Sequence, residues 1–166
     1  MHTKPKPMTS TDKETTPGTA TQPLTHPQPY EEISHTADLT IEVQGADPSE
    51  TLARLVLALA DQLCGGGELR AHKEVRIEVE PGDLVIMAID VLREVLYRFA
   101  TRGEIPERCG VVRVDESAGT KVVLRMGRYD ERLHGGGSDI KAVTYHQPRF
   151  EKTPNGVWVA RVTLDI

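Results

Sequence analysis

The spacing of apolar residues predicts the elements of the first half of the chain. Leu39–Gln44 alternates apolar and polar residues, which is typical of a half-buried strand. Asp47 and Pro48 are residue types that begin helices, and the glycines at 65–67 can end one. Between them, apolar residues recur with helical spacing at Leu52, Leu55, Val56, Leu59 and Leu63. The pattern therefore predicts a strand followed by an amphipathic helix.

A second strand and helix follow with the same kind of signal. Val75–Val79 alternates apolar with charged residues, which predicts another half-buried strand. Asp83 is a suitable N-cap for a helix over about Leu84–Ala100. The polar residues of that segment form one narrow stripe, so we expect this second helix to be the more deeply buried of the two.

The chain after Gly103 is predicted to be mainly β-structure. Strands are indicated at 111–114, 122–126, 140–146 and 157–166. The element order β-α-β-α-β-β-β-β is typical of an α+β protein. We therefore expect a single domain with a mostly antiparallel β-sheet covered by two main helices.

Residues 1–29 differ in composition from the rest of the chain. They contain six of the 11 prolines and eight threonines. Such a segment buries too little apolar surface to offset the entropy cost of ordering it. The sequence therefore predicts a disordered, Thr/Pro-rich tail over residues 1–29 and one folded domain over residues 30–166.

Charge and cysteine content exclude several classes of protein. The 166 residues carry a net charge of -5, which gives no general attraction to the phosphate backbone of nucleic acids. Cys64 and Cys109 are too few for a disulfide scaffold and favour free thiols in a reducing compartment. No stretch approaches the roughly 20 apolar residues of a membrane span. We expect a cytoplasmic protein without membrane contact.

Two short acidic segments are candidates for cation binding. His35 and Asp38 lie just before the first predicted strand, where an Asp carboxylate can bind a hard cation. A turn in which Asp38 accepts local backbone hydrogen bonds is the structural alternative. At the other end, the Asp165 side chain and the terminal carboxylate of Ile166 repel each other unless a cation or donor stabilises them. The alternative there is a solvated, fraying strand end.

The remaining polar candidates carry weaker signals. Lys141 shares a strand face with Val143 and Tyr145 and could contact a phosphate or carboxylate, or be an ordinary charge on an edge strand. The other histidines of interest are expected to lie outside any site. His26 belongs to the predicted tail, and His72 and His134 are expected in exposed loops.

Four segments together resemble the archease family. The resemblance covers residues 30–166, and the motifs occur in the family's order. They are His-Thr-Ala-Asp at 35–38, Leu-Arg-Glu-Val-Leu-Tyr at 92–97, Lys-Ala-Val-Thr-Tyr-His at 141–146, and the ending Trp158 to Leu164-Asp165-Ile166. The chain departs from the family at Gly127-Arg128, where Gly-Glu is usual.

This resemblance implies a small cytosolic activator protein that is not an enzyme. Its partner would be an RtcB-type RNA ligase, which joins RNA ends with GTP and a divalent metal in tRNA splicing or RNA repair. Family members promote guanylylation of the ligase and let it turn over repeatedly, so contact with RNA would be indirect, through the ligase.

The resemblance also implies a divalent-cation site, often occupied by calcium in the family. Its ligands would be Asp38, Asp165 and Ile166, with His35 and Lys141 as further functional contacts. Oxygen-only ligation suits Ca²⁺, with Mg²⁺ or Mn²⁺ as alternatives, and disfavours structural Zn²⁺.

Two other functions stay open at this point. A metal-dependent enzyme acting on phosphate would need a nucleophile or base near the metal, and a phosphatase or nucleotidase screen would test it. An RNA-binding or chaperone-like module would need stacking aromatics and a basic face. The chain has seven aromatic residues and no run of Lys or Arg, and a gel shift with RNA alone would test this function.

Overall fold

The computed structural model describes residues 22–166. In chain order, the elements are β1 (Leu24–Thr25), β2 (Glu31–Ser34), β3 (Asp38–Gly45), α1 (Pro48–Cys64), β4 (Lys73–Val79), α2 (Leu84–Arg102), β5 (Glu104–Asp115), β6 (Gly119–Arg128), α3 (Glu131–His134), β7 (Ala142–Lys152) and β8 (Trp158–Asp165).

The strands form two four-stranded antiparallel sheets. The first sheet has the order β1-β5-β6-β4, and the second has the order β2-β3-β8-β7. The predicted α+β class and antiparallel pairing are confirmed. The division into two sheets follows from the β5–β6 hairpin, which pairs with β1 and β4, whereas β3 pairs with β8 from the far end of the chain.

The helices begin and end where the sequence places cap residues. The Asp47 carboxylate accepts a hydrogen bond from the Glu50 N–H at 2.8 Å, and the Asp83 carboxylate accepts one from the Ile86 N–H at 2.9 Å. Left-handed glycines close both helices, Gly65 after α1 and Gly103 after α2. Within residues 22–166, no helix has both the length and the apolar character needed to cross a lipid bilayer.

One hydrophobic core joins the two sheets through the helices. Helix α1 contacts β3 and β8 of the second sheet and β5 of the first, and α2 contacts β7 together with β4 and β5. The fully buried side chains include Leu39, Ile41, Leu52, Leu55, Leu57, Leu59, Ile89, Leu92, Ile105 and Leu124. The expectation that α2 is the more deeply buried helix is wrong: α1 buries 13 of its 17 residues, whereas α2 buries six of 19 and leaves Ile86 and Tyr97 exposed. Helix α1 packs on the central strands β3, β5 and β8, whereas α2 packs on the edge strands β4 and β7 as well as on β5.

Residues 22–29 belong to the folded domain, which corrects the predicted boundary after residue 29. Leu24 lies opposite Cys109 in the pairing of β1 with β5, and the His26 N–H donates to the Glu107 carbonyl at 2.8 Å. The His26 side chain also contacts Asp61 of α1. A strand of two residues carries no periodic pattern, so composition alone placed this segment in the tail. The rest of the predicted tail, residues 1–21, lies outside the described residues.

Candidate metal centre

Asp38 and Asp165 face each other across two neighbouring strands. Asp38 begins β3, Asp165 ends β8, and the antiparallel register places them directly opposite each other. Side chains in such a position project to the same face, with Cβ atoms roughly 5 Å apart. The adjoining pair, Leu39 and Leu164, is buried on the core side, so the two carboxylates lie on the outer face of the second sheet.

The charges of this pair are unbalanced, unlike those of a neighbouring pair on the same face. Glu42 and Arg161 also lie opposite each other, and their side chains form an ion pair of 2.6 Å. Asp38 and Asp165 are both acidic, and no Lys, Arg or His side chain of residues 22–166 forms a salt bridge with either. Like charges in this arrangement destabilise a sheet unless a cation lies between them.

One oxygen of Asp38 is buried without a hydrogen-bond partner. It is Oδ1, one of three buried side-chain nitrogen or oxygen atoms in residues 22–166 that lack a partner; the others belong to Arg98 and Glu104. An unpartnered buried acceptor is unfavourable, because it has lost its hydrogen bonds to water without replacement. A cation at this end of the sheet would supply the missing interaction, so the residues present fit a metal ion.

The other predicted site residues lie at the same end of the second sheet. The Ile166 N–H donates to the Ala37 carbonyl at 3.3 Å, which holds Ile166 beside the first residues of β3. The His35 N–H donates to the Asp38 carbonyl at 2.9 Å, while the His35 side chain is exposed. The structure therefore brings the neighbouring residues His35 and Asp38 together with Ile166, which lies more than 120 residues later in the sequence.

Lys141 joins this group through its backbone, and the strand that follows it is held by an arginine. The Lys141 N–H donates to the Asp165 carbonyl at 2.7 Å, and its side chain is exposed. Arg93 of α2 donates to the Val143 carbonyl at 3.1 and 3.0 Å and to the Tyr145 hydroxyl at 3.1 Å. The sequence placed Arg93 on a polar helix stripe, but its contact with β7 depends on tertiary packing.

A row of threonines separates the carboxylates from the Glu42–Arg161 pair. The hydroxyls of Thr40 and Thr163 are 3.2 Å apart, and the Thr144 hydroxyl donates to the Thr163 carbonyl at 3.1 Å. This row fixes β3, β8 and β7 relative to one another next to the acidic pair. The donors at the strand ends are all oxygens, which suits Ca²⁺, Mg²⁺ or Mn²⁺ better than Zn²⁺.

Of the three histidines His26, His72 and His134, two differ from their predicted positions. His72 is exposed, as predicted. His134 is buried: its Nδ1 accepts from the Asp130 N–H at 2.8 Å, and its Nε2 lies 2.8 Å from the Glu68 carbonyl. These contacts hold α3 against the loop after α1. His26 contacts α1, as described above.

The sequence from residue 30 to the end matches a known protein family. The match is to the model of the Archease protein family (MTH1598/TM1083) and covers residues 30–166. The chain belongs to the archease family. The opening motif, the β7 motif and the closing Asp-Ile that suggested this family carry the carboxylates and Lys141 described above.

Individual archeases match over nearly their whole length. The chain is 35% identical over 140 residues to the "Protein archease" of Methanopyrus kandleri, covering 83% of this chain and 99% of the relative. It is 31% identical over 141 residues to that of Pyrococcus furiosus, covering 82% and 98%. The solution structure of Methanobacterium thermoautotrophicum protein 1598 aligns with a TM-score of 0.63 and 25% identity, covering 82% of this chain and 98% of that one.

Proposed function

We propose that this archease-family chain is a non-catalytic activator of an RtcB-type, GTP-dependent RNA ligase. In this role it promotes guanylylation of the ligase and multiple turnover in tRNA splicing or RNA repair. It contacts RNA only through the ligase. The proposal rests on membership of the archease family and on one observation, the facing carboxylates of Asp38 and Asp165.

The facing carboxylates of Asp38 and Asp165 support a divalent-cation site, through which the chain would activate the ligase. Asp38, Asp165 and the terminal carboxylate of Ile166 would hold the ion, which is Ca²⁺ in this proposal, with Mg²⁺ or Mn²⁺ as alternatives. Calcium takes about six to eight oxygen ligands, so three carboxylates leave coordination positions for water or for groups of a partner. The exposed Asp165 side chain can meet such groups directly.

Lys141 and the start of β7 contact the ligase in this proposal. The Lys141 side chain is exposed at the same end of the second sheet, and its ammonium can bind a phosphate or a carboxylate of the partner. The Arg93 guanidinium lies 4.4 Å from the centre of the half-exposed Tyr145 ring and fixes the strand beyond Lys141. The backbone around Lys141 is therefore fixed by its own hydrogen bond to Asp165 and by the contact of Arg93 with Val143.

Charge also favours a protein partner over RNA. The chain carries a net charge of -5, and an acidic surface approaches the basic cleft of an RNA ligase more readily than a polyanion. Acidic groups at one end of the second sheet suit the delivery of a cation to the ligase, or competition with the ligase for a cation. In this proposal the ligase catalyses the joining of RNA ends, and this chain increases the activity of the ligase.

A ligation assay with the cognate RtcB-type ligase tests the proposal. The expected result is more ligated RNA per ligase molecule, and faster guanylylation, when the chain is added with GTP and divalent metal. Hydrolysis of phosphate substrates by the chain alone, or a gel shift of RNA by the chain alone, would instead support one of the two alternative functions.

A further inference from the structure

A second group of metal-binding side chains lies where β1 meets the end of α1. His26 Nε2 lies 2.8 Å from Asp61 Oδ1 and 3.6 Å from Cys64 Sγ. The three ligand atoms lie within 4.8 Å of one another. This cluster, which we call the His26 cluster, shares no residue with the acidic pair at the end of the second sheet.

The geometry of the His26 cluster favours a shared ion over a nucleophilic relay. In a Cys-His-Asp relay, the thiol and the carboxylate lie on different ring nitrogens of the histidine. Here both lie beside Nε2 of His26. A tetrahedral zinc ion places nitrogen and sulfur ligands about 3.6 Å apart, which matches the spacing of His26 and Cys64. The shorter spacing of His26 and Asp61 would widen by about 0.5 Å on binding.

The charge around the cluster also favours a cation. Asp61 lies in the last turn of α1, which contains no basic residue. The carbonyl end of a helix carries partial negative charge, so a carboxylate there is unfavourable unless a positive group compensates it. A divalent ion bound by the carboxylate of Asp61, the thiolate of Cys64 and neutral His26 forms a site without net charge, which suits the full burial of Cys64.

A second layer of hydrogen bonds holds the Asp61 carboxylate in place. Its other oxygen, Oδ2, accepts from the Tyr30 hydroxyl at 2.5 Å, and that hydroxyl accepts from Gln62 Nε2 at 2.9 Å. Burial and the neighbouring Asp61 raise the pKa of Tyr30, so its hydroxyl stays a donor. Outer contacts of this kind orient ligating carboxylates in metal sites.

We propose that His26, Asp61 and Cys64 form a zinc site that ties residues 22–29 to the C-terminal end of α1. Nitrogen and sulfur ligands favour Zn²⁺ over Ca²⁺ and Mg²⁺. On binding, the Cys64 thiol releases its proton to solvent, its sulfur binds the ion, and a water molecule takes the fourth position. The site is independent of the proposed action on an RNA ligase.

Metal titration of the full-length, chelator-treated chain tests this proposal. Calorimetry with Zn²⁺ is expected to show one site per chain, and Co²⁺ is expected to give a thiolate charge-transfer band. Cys64→Ser is expected to remove the band and weaken Zn²⁺ binding at least about tenfold. His26→Gln, a second variant that removes a different ligand, is expected to weaken binding by a similar factor.

Two control variants separate this site from the rest of the chain. Cys109→Ser changes the other buried thiol and is expected to keep both the zinc affinity and the cobalt band. The double variant Asp38→Asn/Asp165→Asn is also expected to keep the zinc affinity and the cobalt band, whatever its effect on the ligase. The proposal is overturned if the chain binds no Zn²⁺, or if folded Cys64→Ser and His26→Gln bind it as tightly as the wild type.

Discussion

Asp38 lies directly opposite Asp165, four residues along the paired strands from the ion pair of Glu42 with Arg161 on the same sheet face. The two cross-strand pairs thus have the same geometry and opposite electrostatics. One brings two negative charges together, and the other brings together opposite charges. Their comparison allows the effect of charge to be separated from the effect of strand pairing.

Without divalent metal, Asp38→Asn should raise the melting temperature. Removing one of two facing negative charges relieves about half a kcal/mol of repulsion, or about 1–2 °C for a chain of this size. Glu42→Gln should lower it by a similar amount, because it breaks the ion pair with Arg161. Thermal unfolding in chelator measures both. The electrostatic account of the pair is wrong if the two variants shift the melting temperature in the same direction.

The same positions should differ in their effect on Ca²⁺ affinity. Asp38→Asn and Asp165→Asn are each expected to weaken Ca²⁺ binding at least about tenfold, since each removes a charged oxygen ligand. Glu42→Gln should bind Ca²⁺ like the wild type, because its carboxylate pairs with Arg161. Calorimetry measures the affinities. Wild-type affinity in both Asp variants would exclude them as ligands.

Adding residues after Ile166 should weaken Ca²⁺ binding without unfolding the domain. The extension converts the predicted ligand, a terminal carboxylate, into a neutral peptide group. The Ile166 N–H contact with the Ala37 carbonyl is unaffected by this change. A Gly-Ser extension at the N-terminus is the matched control. Equal Ca²⁺ affinity of both extended chains would remove Ile166 from the site.

Local sequence signals predicted the helices and the ends of the site strands. Asp47 and Asp83 cap α1 and α2 as expected, because capping depends on residues within one turn. The alternation that begins at Leu39 predicted β3, so Asp38 had to lie at a strand end. Asp38 lies opposite Asp165 because β3 pairs with β8, a strand more than 100 residues later in the chain. Only the family resemblance suggested that these two residues lie close together.

The parts that the sequence missed are those fixed by long-range contacts. The two-residue β1 forms because β5 extends back through Pro106 and Gly110, a stretch that reads as a loop. His26 therefore appeared to belong to the tail, although it pairs with Asp61, which lies 35 residues later. Its only sequence signal was a histidine in a segment otherwise free of charged residues between 15 and 30.

Two truncations should separate the predicted tail from residues 22–29. Removing residues 1–21 should leave the melting temperature within about 1 °C, since their composition predicts little buried surface. Removing residues 1–29 also deletes β1 and the contact of His26 with Asp61, and should lower the melting temperature by about 4–8 °C, equivalent to roughly 2 kcal/mol. Thermal unfolding measures both. Equal melting temperatures would show that residues 22–29 add no stability.

Buried thiols should make stability decrease at alkaline pH. Burial raises the pKa of Cys109 to about 12, so the folded chain keeps a proton that the unfolded chain releases near its ordinary pKa of about 8.5. The free energy of unfolding should therefore fall with rising pH between these values, by up to about 1.4 kcal/mol per pH unit.

Urea unfolding over this pH range tests the contribution of Cys109. Cys109→Ala should reduce the slope of stability against pH. Val111→Ala removes a similar buried contact two residues further along β5 without removing a titratable group, so it should leave the slope unchanged. Equal slopes in the two variants would contradict the role of the thiol.

The most direct test of the proposed function is ligated RNA per ligase molecule over time, with the cognate RtcB-type ligase, GTP and divalent metal. The wild-type chain should convert single turnover into multiple turnover, and Glu42→Gln should do the same. Asp38→Asn and Asp165→Asn should each lose most of the effect, and the double variant should be little worse, because the two residues form one site. Lys141→Ala should impair activation while keeping Ca²⁺ affinity. Full activation by the folded double variant would contradict the metal-site account, and no activation by the wild type would contradict the proposed function itself.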